Sequence, residues 1–436
     1  MNSLKKELSL LGLIMIVIGS VLGSGIFLTP SQIAGHLSSP GVIILAWCLG
    51  GILTLCGALS FGELGAMFPK TGGVYVYLKE AYGDFLAFLY GWAYFTVIMS
   101  GTVAALSIAF SSYLAYIFPA ISGVKPYISI LLVVIVSIIN IFRVKIAEIF
   151  TSAFSILKLA GIVVVIIVGL FLGSITTLSG EGSFPTENSQ SGINAFGLAM
   201  IGVLWSFGGW HHATFLSGEA RNPNRTIPLA MITGTIIVIF IYILANLSYM
   251  FLMPISQIAV SESIAAEALA TVLNSGGLFI AVIIAISTFG TALAGTLTGP
   301  RIYFAMAEDG LFFKGLSRIH PVYNTPVNAI LTQGAWAIII LLMWGSFEAV
   351  ITYVVFIDWI FFLLTAGIVI LFRYTRRDAV RPFKTPFYPF TPVLFILTSA
   401  LFILNTLIYN PLNAGAGLGL LLLGSPFYFY FRHKKK

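Results

Sequence analysis

Twelve apolar runs, each close to the length that crosses a bilayer, constrain this chain more than any other feature. A helix rises about 1.5 Å per residue, so about 20 apolar residues span a hydrocarbon core of about 30 Å. The cores of the runs fall at 10–37, 42–65, 85–118, 126–142, 149–173, 194–217, 228–252, 270–304, 327–344, 349–371, 392–410 and 414–431. The third and eighth exceed what a bilayer needs, so tilt or extension into water is expected there. No connection between runs is long enough for a soluble domain. The chain is 58% apolar, and only 8% of its residues are Asp, Glu, Lys or Arg. A soluble domain carries about 25% charged residues, so cytosolic enzymes, nucleic-acid binders and disordered scaffolds are excluded together. The expected fold class is an all-α polytopic membrane protein with twelve transmembrane helices in one domain.

The placement of charge tests that count. With the N-terminus inside, twelve spans put 20 of the 22 basic residues on the cytoplasmic side. Lys125 alone lies outside, and Lys158 lies within the fifth span. Such one-sidedness is the positive-inside pattern, and an odd span count would scramble it. Both termini are therefore expected in the cytoplasm, with the tail Arg432 to Lys436 as a topological anchor. The net charge of +7 then reports topology and implies no acidic partner. The first run follows Lys5 and Lys6 as a signal peptide would, but it is too long for one and lacks a small-x-small cleavage site. It reads as an uncleaved span. Cys48 and Cys56, eight residues apart in one run, lie roughly 12 Å apart on a helix. That is too far for a disulfide, and no metal site is implied.

Two spans should not be straight. The first contains Gly19-Ser20-Val21-Leu22-Gly23-Ser24-Gly25, and the sixth contains Trp205-Ser206-Phe207-Gly208-Gly209-Trp210-His211-His212. Each glycine weakens a helix by about 1 kcal/mol relative to alanine. One such motif could be close helix packing. Its recurrence in spans one and six fits inverted five-helix repeats whose broken helices face each other, since freed backbone groups at that depth must face protein or a cavity. The amides at the restart of span one, around Ser24, Gly25 and Ile26, suit a carboxylate. The carbonyls freed in span six, around Trp205, Ser206 and Gly208, suit an ammonium. Neither break holds an Asp, Glu, Lys or Arg, so the expected ligand is a zwitterion with a neutral side chain.

At these residues the chain resembles an amino-acid transporter of the amino acid–polyamine–organocation superfamily, most closely the L-type (LAT) branch and its bacterial relatives. The resemblance rests on Gly23-Ser24-Gly25-Ile26-Phe27, on Pro69-Lys70-Thr71-Gly72-Gly73-Val74-Tyr75 with Tyr82-Gly83, and on Phe207 through Gly209-Trp210 to Glu219, Asn222-Pro223, Arg225 and Pro228. Arg301 to Gly310 and Arg381-Pro382-Phe383 extend it in order along the chain. It implies a LeuT-like 5+5 inverted repeat, with repeats at about 8–175 and 192–373 and two peripheral helices at about 390–431. It implies carboxylate binding at Ser24 and Gly25, amine binding at the span-six carbonyls and an aromatic gate at Trp205. It places Tyr242 on the intracellular route and Ser287, Thr288 and Thr291 where sodium-coupled relatives use hydroxyls. Those hydroxyls could bond their own helix instead. Eukaryotic members have Asn in place of His211 and Asp358, and they pair with a glycoprotein through an outer-loop cysteine that this chain lacks. No disulfide-linked subunit is therefore expected, and the chain should work as a monomer.

Two charges lie deep in spans. Lys158 sits roughly 13 Å from the inner end of span five, and an intramembrane lysine is a functional candidate by default. The resemblance takes its ammonium to the unwound part of span one, where it would supply a cation's charge and make transport sodium-independent. Burial keeps a proton-coupled role open. Asp358, in span ten, is open to three readings: a protonated structural group, a partner of His211 or Lys158, or part of a wet path. His211 and His212 are candidates for a proton relay or a helix-exit hydrogen bond, and Ser20 is a further small residue at the break. Glu219, Arg225 and Arg301 read as a latch or loop cluster at the inner mouth.

The leading reading is a secondary transporter in the cell membrane that exchanges neutral L-amino acids, small ones such as alanine, serine or threonine, by alternating access. A proton-coupled symporter is the alternative. An intramembrane enzyme would need paired catalytic groups; the chain has no HExxH, no GxSxG and no acid pair inside a span. A channel would show a charge ring or repeated filter. No cofactor, metal or nucleic acid is implied.

Overall fold

The computed structural model describes residues 4–23, 25–174, 192–261, 264–273, 276–343, 347–409 and 411–435. Ser24 lies outside the described residues. Ten helices are long and apolar enough to cross a membrane, from Leu10–His36 to Ala414–Lys434, and two shorter apolar helices, Asn194–Ser206 and Val327–Met343, supply the sixth and ninth. An apolar helix thus stands at each of the twelve expected positions. No strand forms among the described residues beyond an isolated bridge between Leu8 and Ala220.

Local chemistry sets several helix starts. Proline opens Pro40–Met67, Pro223–Leu252 and Pro300–Glu308, where its missing N–H costs no helical bond. Ser9 caps the first helix, its hydroxyl accepting from Gly12 N at 3.1 Å and donating to Glu148 at the base of span five at 3.0 Å. In span five the polar and small residues Ser155, Lys158 and Gly161 are buried, whereas Ile156, Leu157, Val163 and Ile167 are exposed. A soluble helix shows the reverse; here the exposed apolar stripe is the surface lipid would cover.

Burial orders the bundle. The apolar core of span one is 76% buried, those of spans three and eight 67% each, and those of spans eleven and twelve 33% and 28%. Spans one, three and eight are therefore central, and the last two are peripheral, as is span four at 33%. Ion pairs gather the helix ends at the N-terminal end of the bundle. Arg301 meets Glu219, Arg373 meets Glu63, Arg376 meets Glu80, and Lys79 meets Asp309.

Candidate functional site

Both suspected helices are broken. The first span runs as a helix over Leu10–Val21 and again over Gly25–His36. The sixth ends at Ser206, passes through turns at 207–211 and resumes as a 3-10 helix, His212–Glu219. The breaks touch. A methyl on Gly25 would sit 2.8 Å from Ser206 Cα, and one on Gly209, whose φ is +100°, would sit 3.0 Å from the Ser20 backbone. Glycine is required at both positions by approach, and at Gly209 by conformation too. Thr29 reinforces the junction, its hydroxyl 2.7 Å from Ser206 Oγ.

The backbone freed in span one finds partners from three other helices. Lys158, 2% exposed, donates from Nζ to Gly19 O and Leu22 O, both at 2.6 Å, and to Thr291 Oγ1 at 2.9 Å. Ser287 donates to Leu22 O and Gly23 O at 3.1 Å, and Thr291 Oγ1 lies 3.1 Å from Gly19 O. Thr288 bonds its own helix at Ile284 O and does not reach the break. Tyr242 joins the two broken helices, its hydroxyl donating to Val21 O at 2.8 Å and Ser206 O at 2.9 Å.

A cavity of about 80 Å³ opens beside the breaks. It is lined by Ser20, Gly23, Gly25, Trp205, Ser206, Gly208 and Gly209 at the two breaks, by His211 and His212 where span six resumes, by Tyr94 of span three and by Asp358, Trp359 and Phe362 of span ten. At a share of about 30 Å³ per water, it has room for two or three waters, the scale of a ligand of few heavy atoms. Ile26 is buried away from this wall, its amide in the first turn of the restarted helix.

The comparisons agree with this architecture. The sequence profile of the family Amino acid permease matches residues 8–421. The chain is 34% identical over 438 residues to the serine/threonine exchanger SteT of Bacillus subtilis, covering all of this chain and 98% of that protein. It is 33% identical to the human b(0,+)-type amino acid transporter 1, with 100% and 89% covered, and 30% identical to the mouse large neutral amino acids transporter small subunit 2, with 100% and 83% covered. The chain belongs to the amino acid permease family. It is a LAT-like member of the amino acid–polyamine–organocation superfamily, a multi-pass membrane transporter.

In this permease Asp358 pairs with neither of its expected partners among the described residues. Lys158 is held by the span-one carbonyls, and both ring nitrogens of His211 lack a hydrogen bond, as does Asp358 Oδ1. His212 differs: its Nε2 lies 3.0 Å from the Tyr94 hydroxyl. Tyr94 opens a short π-helical stretch, Tyr94–Ile98, inside span three, a distortion frequent at functional sites. No sequence signal marked Tyr94, because a π-bulge depends on tertiary partners such as Trp336, which donates to Thr96 O at 3.0 Å. Glu219 and Arg301 form a fully buried ion pair at the N-terminal end, whereas Arg225 is exposed.

The hydroxyl of Tyr242 can be tested alone. Tyr242→Phe keeps the ring and removes a donor to both breaks. At about 0.5–1.5 kcal/mol for the one proton the hydroxyl donates, amino-acid uptake should fall by roughly two- to twelvefold in initial-rate assays of the purified permease in liposomes.

Proposed function

We propose that this permease exchanges small neutral amino acids, unaltered and without sodium, across the cell membrane, with its basic face and both termini in the cytoplasm. The observation that carries the reading is the place of Lys158. Two carbonyls and a hydroxyl converge on its ammonium at 2.6–2.9 Å, a cage that would otherwise suit a monovalent cation. A covalently attached charge fills that role permanently, so no external cation is needed to complete the site.

The substrate carboxylate binds the amides of Gly25 and Ile26, at the positive end of the restarted helix, and Ser24, which precedes them in sequence, is assigned to the same group. The ammonium binds the carbonyls of Trp205, Ser206 and Gly208. Ser206 O already accepts from Tyr242 and Trp205 O from Gly208 N, but a carbonyl has two lone pairs. Trp205 serves as the gate, and the two five-helix repeats rock about this point with spans eleven and twelve outside them. Serine and threonine, named for the Bacillus relative, fit the small cavity. Both cysteines lie in span two, and on this reading the chain works as a monomer without a disulfide-linked subunit.

Liposomes loaded with or without serine, free of sodium, test the reading. Labelled serine should enter only loaded vesicles, and an imposed proton gradient should not drive entry. Uptake into empty vesicles that follows the proton gradient would instead establish the symport alternative.

A further inference from the structure

The cavity beside the helix breaks is also lined by polar side chains that neither the fold nor the backbone-binding reading uses. His211 is 1% exposed and packed among rings: Phe362 at 4.7 Å, Phe215 at 5.2 Å and Trp210 at 5.3 Å between centroids. Packing alone would be served as well by a phenylalanine. Yet the ring carries two buried nitrogens without a hydrogen bond, and a buried polar atom left unsatisfied costs about 1–3 kcal/mol. Phe362 stands four residues from Asp358, on the same helical face. Asp358 also faces the cavity, with its Oδ1 buried and unpartnered. His212 adds a third group: Tyr94 takes its Nε2, and its Nδ1 is unpartnered. Buried polar groups in native proteins are nearly always satisfied, so these atoms point to a hydrogen-bonding ligand in the cavity. Histidine, aspartate and tyrosine can together both donate and accept, which matches a hydroxyl.

We propose that Asp358, His211 and His212 form a side-chain subsite that recognises the hydroxyl of the transported amino acid. The inference rests on this cavity being the amino-acid site. The backbone of the substrate lies against the two breaks, and its side chain meets the polar wall that these three side chains give the same cavity of about 80 Å³. An alanine or valine side chain would leave that wall unsatisfied. A site built to hydrogen-bond a hydroxyl discriminates strongly against an analogue lacking it. Asp358 and His211 thereby determine specificity, while Tyr94 positions His212.

Two near-isosteric pairs, threonine with valine and serine with alanine, isolate the hydroxyl. Competition against labelled serine should show wild type preferring the hydroxyl member of each pair by about tenfold or more. In Asp358→Leu and His211→Phe, which keep bulk and remove the polar atoms, that ratio should fall towards one; Asp358→Asn, which still hydrogen-bonds, should retain most of it. Equal competition by threonine and valine in wild type overturns the proposal, whatever the variants do. So does an unchanged ratio in a variant that still transports. If neither alanine nor serine competes at all, the amino-acid-site reading itself fails, and that result is distinct from a lost ratio.

Discussion

Lys158→Ala should abolish exchange, lowering its rate by at least about a hundredfold, the equivalent of two charge-assisted hydrogen bonds at about 1.5 kcal/mol each. The ammonium holds Gly19 O and Leu22 O, in the last turn and at the cap of the first half-helix, each at 2.6 Å. Without it, the cage keeps only the Ser287 and Thr291 hydroxyls, which carry no charge. The amides of the restarted helix then lose their fixed position, and with it the carboxylate site. Exchange in liposomes, at equal amounts of monodisperse protein, is the measurement. Undiminished rate and affinity would show that Lys158 is not part of the site.

Glu219→Ala should be the most destabilising single change at the N-terminal end. Both members of the Arg301–Glu219 pair are 0% exposed, with Nε to Oε1 at 2.8 Å and Nη2 to Oε2 at 3.2 Å. Removing one partner leaves an uncompensated buried charge, at a cost of about 3–5 kcal/mol. The same segment holds the N-terminus, since Leu8 N donates to Glu219 O and Arg221 N to Leu8 O, each at 3.0 Å. Thermal unfolding in detergent should therefore show a large loss for Glu219→Ala. The double variant Glu219→Leu with Arg301→Met should recover much of it, because paired removal leaves no orphan charge. A loss for Glu219→Ala within about 1 kcal/mol of wild type would mean water reaches the guanidinium.

Much of this was legible beforehand, for reasons tied to particular residues. The span positions follow from hydropathy, because in lipid each span must satisfy its own backbone. The breaks follow from Gly19, Gly23 and Gly25 in one span and Gly208 and Gly209 in another, where helix propensity is lowest. Lys158 stood out because a charge in an apolar run has few affordable explanations. The division among the span-eight hydroxyls was not legible. Ser287 and Thr291 face span one and Thr288 does not, a matter of helix rotation that composition does not encode. The π-helical stretch at Tyr94 and the 3-10 form of the span-six exit were hidden for the same reason.

The sequence by itself determined the class, the number and places of the apolar helices, the two breaks and the identity of the buried charges. These are local properties, set by transfer free energy and backbone propensity over a few turns. Only the tertiary structure decided which groups meet. It brought Lys158 to carbonyls 136 and 139 residues away, joined both breaks through Tyr242, and left Asp358 Oδ1 and both His211 ring nitrogens unpartnered beside a cavity. Hydrogen bonds form over about 3 Å, and across such separations in sequence that distance is set by how the helices pack.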